Sequence, residues 1–115
     1  RNYKNNFFSE LVGTFVLVFA IFFIVEPNIE IDGDVVNFGL GALDALPVGI
    51  VVWVIGMTLG GTTGFAINPA RDFGPRLMYS LLPRKNKQPD WGYSWIPVFG
   101  PLVGATLAAL LYNIL

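Results

Sequence analysis

Thirteen consecutive residues, Gly64-Phe65-Ala66-Ile67-Asn68-Pro69-Ala70-Arg71-Asp72-Phe73-Gly74-Pro75-Arg76, set a helix start, a guanidinium and a carboxylate inside an otherwise apolar chain. Asn is a favoured N-cap and Pro suits the first helical position, so a helix is predicted to begin at Asn68-Pro69, with Ala70 and Arg71 in its first turn. A helix N-terminus carries roughly half a positive charge, and Arg71 adds to it. A fold that keeps a cation there builds a positive potential, and repelling other cations is one use for it. The predicted helix covers about residues 69–77. At about 1.5 Å per residue it reaches roughly 13 Å, enough for only half of a bilayer core.

The flanking segments are longer. Residues 7–25 are interrupted only by Ser9, Glu10 and Thr14 and approach the hydrocarbon thickness as a helix. Pro27 ends that span, and a polar, acidic loop follows, with a turn at Asp32-Gly33-Asp34. A second span is predicted over 43–59, with Pro47 in its first turns, where proline is tolerated. The third, over 95–115, is entered through Trp91, Tyr93 and Trp95, the pattern of an interfacial aromatic belt. Backbone between 60 and 67 that is not helical cannot face lipid, because each unpaired carbonyl would cost several kcal/mol. It must line a polar cavity or be buried in protein. The reading is an all-α membrane protein of three transmembrane helices plus one re-entrant half-helix.

Composition narrows the chemistry. With 54% hydrophobic and 13% charged residues in 115, the chain is too apolar for an ordinary soluble domain. A net charge of −1 gives no basic field for nucleic acid. The absence of Cys and His removes disulfides, thiol chemistry, the commonest metal ligand and the commonest general base. No enzyme, cofactor or metal site is expected.

Several residues point to a conduit. The side-chain oxygen of Asn68 can accept from first-turn N–H groups, leaving its amide N–H groups for a passing oxygen. Arg71 offers five N–H donors in a planar fork, able to serve two neighbouring hydroxyls of a polyol; pairing with Asp72 or a loop carbonyl is the structural alternative. Asp72 and Arg76 are four apart, a spacing that permits an ion pair. Glu10 is the ionisable residue well inside the first span and should face protein, because a carboxyl group in lipid is costly. Gly56, Gly60 and Gly64 fall four apart, as do Gly100, Gly104 and Ala108, so each set could be a smooth stripe where helices approach closely.

The run 64–76 closely resembles the second signature loop of the aquaporin superfamily, the major intrinsic proteins, and Asp72 directly after Arg71 resembles its glycerol-conducting branch. The resemblance extends to Ser9-Glu10-Leu11-Val12-Gly13-Thr14-Phe15, to Asp90-Trp91-Gly92-Tyr93, and to Pro97 through Gly104, including Pro101-Leu102. Residues 1–115 together resemble the C-terminal half of a bacterial glycerol facilitator, one half-repeat of that fold. The resemblance implies that Asn68 donates to water or glycerol at the channel centre, and that Arg71 and Phe65 belong to a narrow selectivity region. It places Gly56 where water-selective relatives carry a His, so that the missing side chain widens the constriction. It implies that Glu10 accepts from N–H groups of the loop, turning the Gly64, Phe65 and Ala66 carbonyls into the channel. Pro69, Ala70, Asp72 and Arg76 then have supporting roles.

A passive channel for glycerol, water and other small neutral solutes in the cell membrane is therefore expected. The alternative is a secondary transporter that binds its substrate at a broken helix. The family pore combines two inverted repeats, so a missing N-terminal half-repeat with the other Asn-Pro-Ala and a homotetrameric assembly are expected partners, beside the lipid bilayer. Arg1, Lys4, Arg84, Lys85 and Lys87 fall on one side of the membrane and Glu26, Glu30, Asp32 and Asp34 on the other. The positive-inside rule applied to this chain alone puts the basic side in the cytoplasm. The resemblance implies the reverse, and it is followed here, because helices expected upstream would dominate orientation.

Overall fold

The computed structural model describes residues 2–25 and 27–115; Arg1 and Glu26, both counted in the charge asymmetry, lie outside the described residues. The order is α1 (Tyr3–Phe22), a hairpin of β1 (Asn28–Ile31) and β2 (Asp34–Asn37), a 3-10 turn (Gly41–Leu43), α2 (Leu46–Thr63), α3 (Pro69–Leu81) and α4 (Trp95–Tyr112). Helices α1, α2 and α4 have 20, 18 and 18 residues and are apolar and long enough to cross a membrane. The all-helical reading of the membrane portion therefore stands.

The boundaries differ from the sequence expectation for local reasons. Helix α1 starts at Tyr3 instead of residue 7, because the Asn2 side chain accepts from the Asn5 N–H at 3.2 Å and draws the polar Lys4, Asn5 and Asn6 into the first turn. It ends at Phe22, three residues before the predicted end. Helix α2 begins at Leu46, with Pro47 in the first turn, and runs through Gly60 and Gly61 to Thr63, where Gly64 at φ 76° stops it in the left-handed conformation. Helix α3 continues past residue 77 to Leu81, giving about 20 Å. What stops it is Pro83, which disfavours helical geometry at Leu82 (φ −59°, ψ 142°). Helix α4 ends at Tyr112.

The acidic loop is more ordered than a single turn. Antiparallel pairing of Asn28 with Asn37 through Ile31 with Asp34 leaves Asp32 and Gly33 at the tip, both with positive φ (52° and 90°), the arrangement that suits the right-handed twist of a tight hairpin. All eight strand residues are exposed.

Helices α1 and α4 form the closest pair. A Cβ on Gly100 would stand 2.9 Å from Glu10 Cβ, and one on Gly104 would overlap the Leu11 carbonyl oxygen, so the α4 backbone lies directly on α1. Ala108 and Ile96, on the same helix, have no exposed surface. Helix α2 rests on α1 through Ile55 and Leu59 near Gly13. Elsewhere α2 is apolar but uncovered: Ile55 is its only buried residue, while Trp53 and Met57 are 66% and 72% exposed. An apolar helix left this bare needs lipid or more protein around it.

Candidate functional site

The site is built where the chain leaves α2 and enters α3. Gly64 donates its N–H to the Gly60 carbonyl at 2.8 Å and reverses the chain. Phe65 and Ile67 then adopt φ of 41° and 43°, left-handed values that cost a non-glycine residue about 1–3 kcal/mol each. Three hydrogen bonds hold this path. Thr63 Oγ1 accepts from the Phe65 N–H at 3.2 Å, and the two oxygens of Glu10 accept from the Ala66 N–H at 3.0 Å and the Ile67 N–H at 2.6 Å. Ile67 is buried beside Gly13, where an added Cβ would stand 2.8 Å from Ile67 Cγ2.

Glu10 is 1% exposed, held by the close approach of α4 at Gly100. Because it takes the N–H groups of the loop, the opposite polarity is left over: among the described residues, the carbonyls of Gly64, Phe65 and Ala66 accept no hydrogen bond. One buried carboxyl group thus determines which half of the loop's polarity remains available.

Asn68 is extended (φ −161°, ψ 124°), and its Oδ1 accepts from the Ala70 N–H at 2.8 Å, with Pro69 opening α3. Its side-chain amide has no partner among the described residues and is exposed. Arg71, one turn on, is exposed, and its guanidinium carbon lies 5.3 Å from the Phe65 ring centroid. Asp72 does not pair with it. Both Asp72 oxygens are taken by Arg76, through Nε at 2.7 Å and Nη2 at 2.6 Å, while Arg76 Nη1 reaches the carbonyls of Asp90, at 2.8 Å, and Pro89. The Arg71 backbone N–H donates to the Asn68 carbonyl at 3.1 Å, but its guanidinium makes no hydrogen bond among the described residues, so its five side-chain donors remain open.

The structure brings Gly56, Phe65 and Arg71 together, with Asn68 three residues along the chain from both Phe65 and Arg71. Gly56 is not open space: the Phe65 ring lies against it, and a Cβ there would be 2.9 Å from Phe65 Cζ. The stripe of Gly56, Gly60 and Gly64, read as a helix–helix approach, is corrected accordingly. Gly56 and Gly60 seat an aromatic ring from their own chain, and Gly64 faces nothing within 4 Å. Gly100, Gly104 and Ala108 do form the α1–α4 seam.

Beside Arg71 opens a polar cleft of about 470 Å³, reaching from Thr63 to Tyr79, Gln88 and Asp90. Thr63, Tyr79 and Gln88 were missed by sequence reasoning. The only signal for Thr63 was a hydroxyl just before a glycine at a helix end. For Gln88 there was none, because it reaches the cleft through a loop whose path Arg76 determines.

The comparisons with known proteins agree with one another. Residues 1–112 match the sequence pattern of the family described as Major intrinsic protein. The chain is 48% identical over 116 residues to glycerol uptake facilitator protein 3 of Lactiplantibacillus plantarum, covering 100% of this chain and 44% of that protein. It is 47% identical over 114 residues to a probable glycerol uptake facilitator protein of Thermotoga maritima, with 98% and 44% covered. With the glycerol uptake facilitator protein of Bacillus subtilis it shares 43% over 109 residues, 94% of this chain and 36% of the relative. The chain thus spans less than half the length of these curated relatives. With nearly every residue inside the family pattern and three helices of membrane-crossing length, this chain belongs to the major intrinsic protein family.

Proposed function

We propose that this chain forms one half of the wall of a passive channel for glycerol and other small neutral solutes, water included, in the cell membrane. The observation that carries the proposal is the pairing of unused donors with an aromatic face: Asn68 and Arg71 at the start of α3, and Phe65 beside Arg71 at 5.3 Å. A polyol has hydroxyls along one edge and CH groups along the other. Donors and free loop carbonyls serve the first, and the Phe65 ring serves the second. Arg71 and the N-terminal end of α3 supply positive potential, which disfavours cations and leaves neutral solutes unaffected. The names borne by the relatives support glycerol as the solute.

In this reading the loop 64–67 carries the chain into the membrane, and α3, at about 20 Å, runs back from there to the side it came from, where Arg76 pins the loop that follows. An inverted second half carrying another Asn-Pro-Ala would close the path, and the complete channels would assemble as a homotetramer. Transport needs no cofactor and no covalent step.

The test is reconstitution of the complete protein in liposomes with light scattering after a glycerol step. Flux that rises linearly with glycerol and ignores sodium and proton gradients is expected. Saturating flux that requires an ion gradient would instead make the protein a coupled transporter.

A further inference from the structure

The aromatic ring at the site has a prepared seat. Because Gly64 turns the chain back at φ 76°, Phe65 lies against the last turns of the helix it has just left. Two glycines make the seat. A Cβ on Gly56 would stand 2.9, 3.1 and 3.2 Å from three ring atoms, and one on Gly60 would stand 3.0 Å from Cδ1 and 3.5 Å from Cε1. Gly61, the next residue, has nothing within 4 Å, so the close approach is specific to one side of α2. The ring is also the neighbour of Arg71, whose guanidinium stands over it at 5.3 Å.

The atoms behind the two glycines are helix backbone and cannot yield. A methyl group added at Gly60 must therefore move the ring, by a few tenths of an ångström at least. Movement of the ring away from α2 changes its distance to Arg71.

We propose that Gly60 is a specificity-determining residue: by leaving room for the Phe65 ring against α2, it sets where the aromatic edge of the solute path stands beside the Arg71 guanidinium, and so the size of solute admitted. Gly60 touches no solute and acts through Phe65. The inference rests on the reading of Phe65 and Arg71 as the border of the solute path.

The experiment is a double-mutant cycle in the complete protein, reconstituted in liposomes, with glycerol and water permeabilities measured on the same preparations. Gly60→Ala is expected to lower glycerol permeability about tenfold and water permeability by no more than about twofold, the scale on which one methyl group discriminates in a tight site. In a Phe65→Leu background, Gly60→Ala should change the glycerol-to-water ratio by less than about twofold. An unchanged ratio on Gly60→Ala with Phe65 present overturns the proposal. So does an equal loss of both permeabilities, or the same loss of ratio in both backgrounds. If Phe65→Leu alone leaves the ratio untouched, the placement of Phe65 beside the path fails first, and that outcome is distinguishable from failure of the Gly60 mechanism.

Discussion

Glu10 does at the residue scale what no apolar side chain could. It is buried, and it accepts the Ala66 and Ile67 N–H groups of a loop whose backbone is left-handed at Phe65 and Ile67. Its replacement by Ala would leave two buried donors unmet, at about 1–3 kcal/mol each. Glu10→Gln supplies one oxygen and turns an NH2 group toward the remaining N–H. Both variants should therefore melt lower in detergent, Ala by the larger margin, and both should lose glycerol flux. A variant at position 10 with parental melting temperature and flux would show that the loop holds its shape without the carboxyl group. Arg71 makes the complementary case. Its guanidinium is free while Arg76 holds both Asp72 oxygens and the Pro89 and Asp90 carbonyls, and Arg76→Gln would release that loop and leave Asp72 without its partner in the first turns of α3. Glycerol flux should then fall several-fold while the folded protein survives, and parental flux in this variant would refute the division of roles between the two arginines.

At the element scale the seam between α1 and α4 is the most exacting contact. Gly104→Ala places a methyl group onto the Leu11 carbonyl oxygen and near the Phe15 N–H, so the helices must separate, at about 1–3 kcal/mol for an overpacked core. Gly61→Ala, on the bare side of α2, meets nothing in this chain and gains helix propensity. Denaturation in detergent should separate the two by direction, with Gly104→Ala less stable and Gly61→Ala equal or better. Much of this element structure was legible beforehand because caps and span lengths are local properties. Asn68-Pro69 marked the start of α3, and the Gly100, Gly104 and Ala108 spacing marked a seam. The end of α3 was misjudged because its apolar pattern fades at Leu77, whereas the true stop is steric, at the residue before Pro83. The hairpin strands were hidden because Asn28, Glu30, Asp34 and Asn37 are poor strand formers, held by the pairing that the Asp32-Gly33 tip sets. The glycines of α2 gave a correct signal of close approach with the wrong neighbour. Spacing reports that something comes near, and only the reversal at Gly64 decides that it is Phe65.

On the scale of the whole molecule the chain is lopsided, packed along the α1–α4 seam and bare along α2. Its body extends 66 × 33 × 22 Å, yet its buried apolar residues are few and gather on the α1–α4 seam and around Ile67. Helix α2 exposes Trp53, Val54 and Met57, and the donors of Asn68 and Arg71 open onto the same uncovered molecule. In a bilayer, exposed apolar surface is satisfied by lipid, but exposed guanidinium, amide and carbonyl groups are not. In the proposed channel a second wall closing over them, with an aqueous path between, would remove that cost. If the proposal holds, stability and glycerol conductance should appear together when that wall is supplied. Residues 1–115 reconstituted alone should give glycerol flux no higher than protein-free liposomes, and co-reconstitution with a matching half from one of the longer relatives should restore flux and raise the melting temperature of this chain. Glycerol flux from residues 1–115 alone would mean that copies of this chain can enclose the path between themselves, and that the open side described here is closed by self-association.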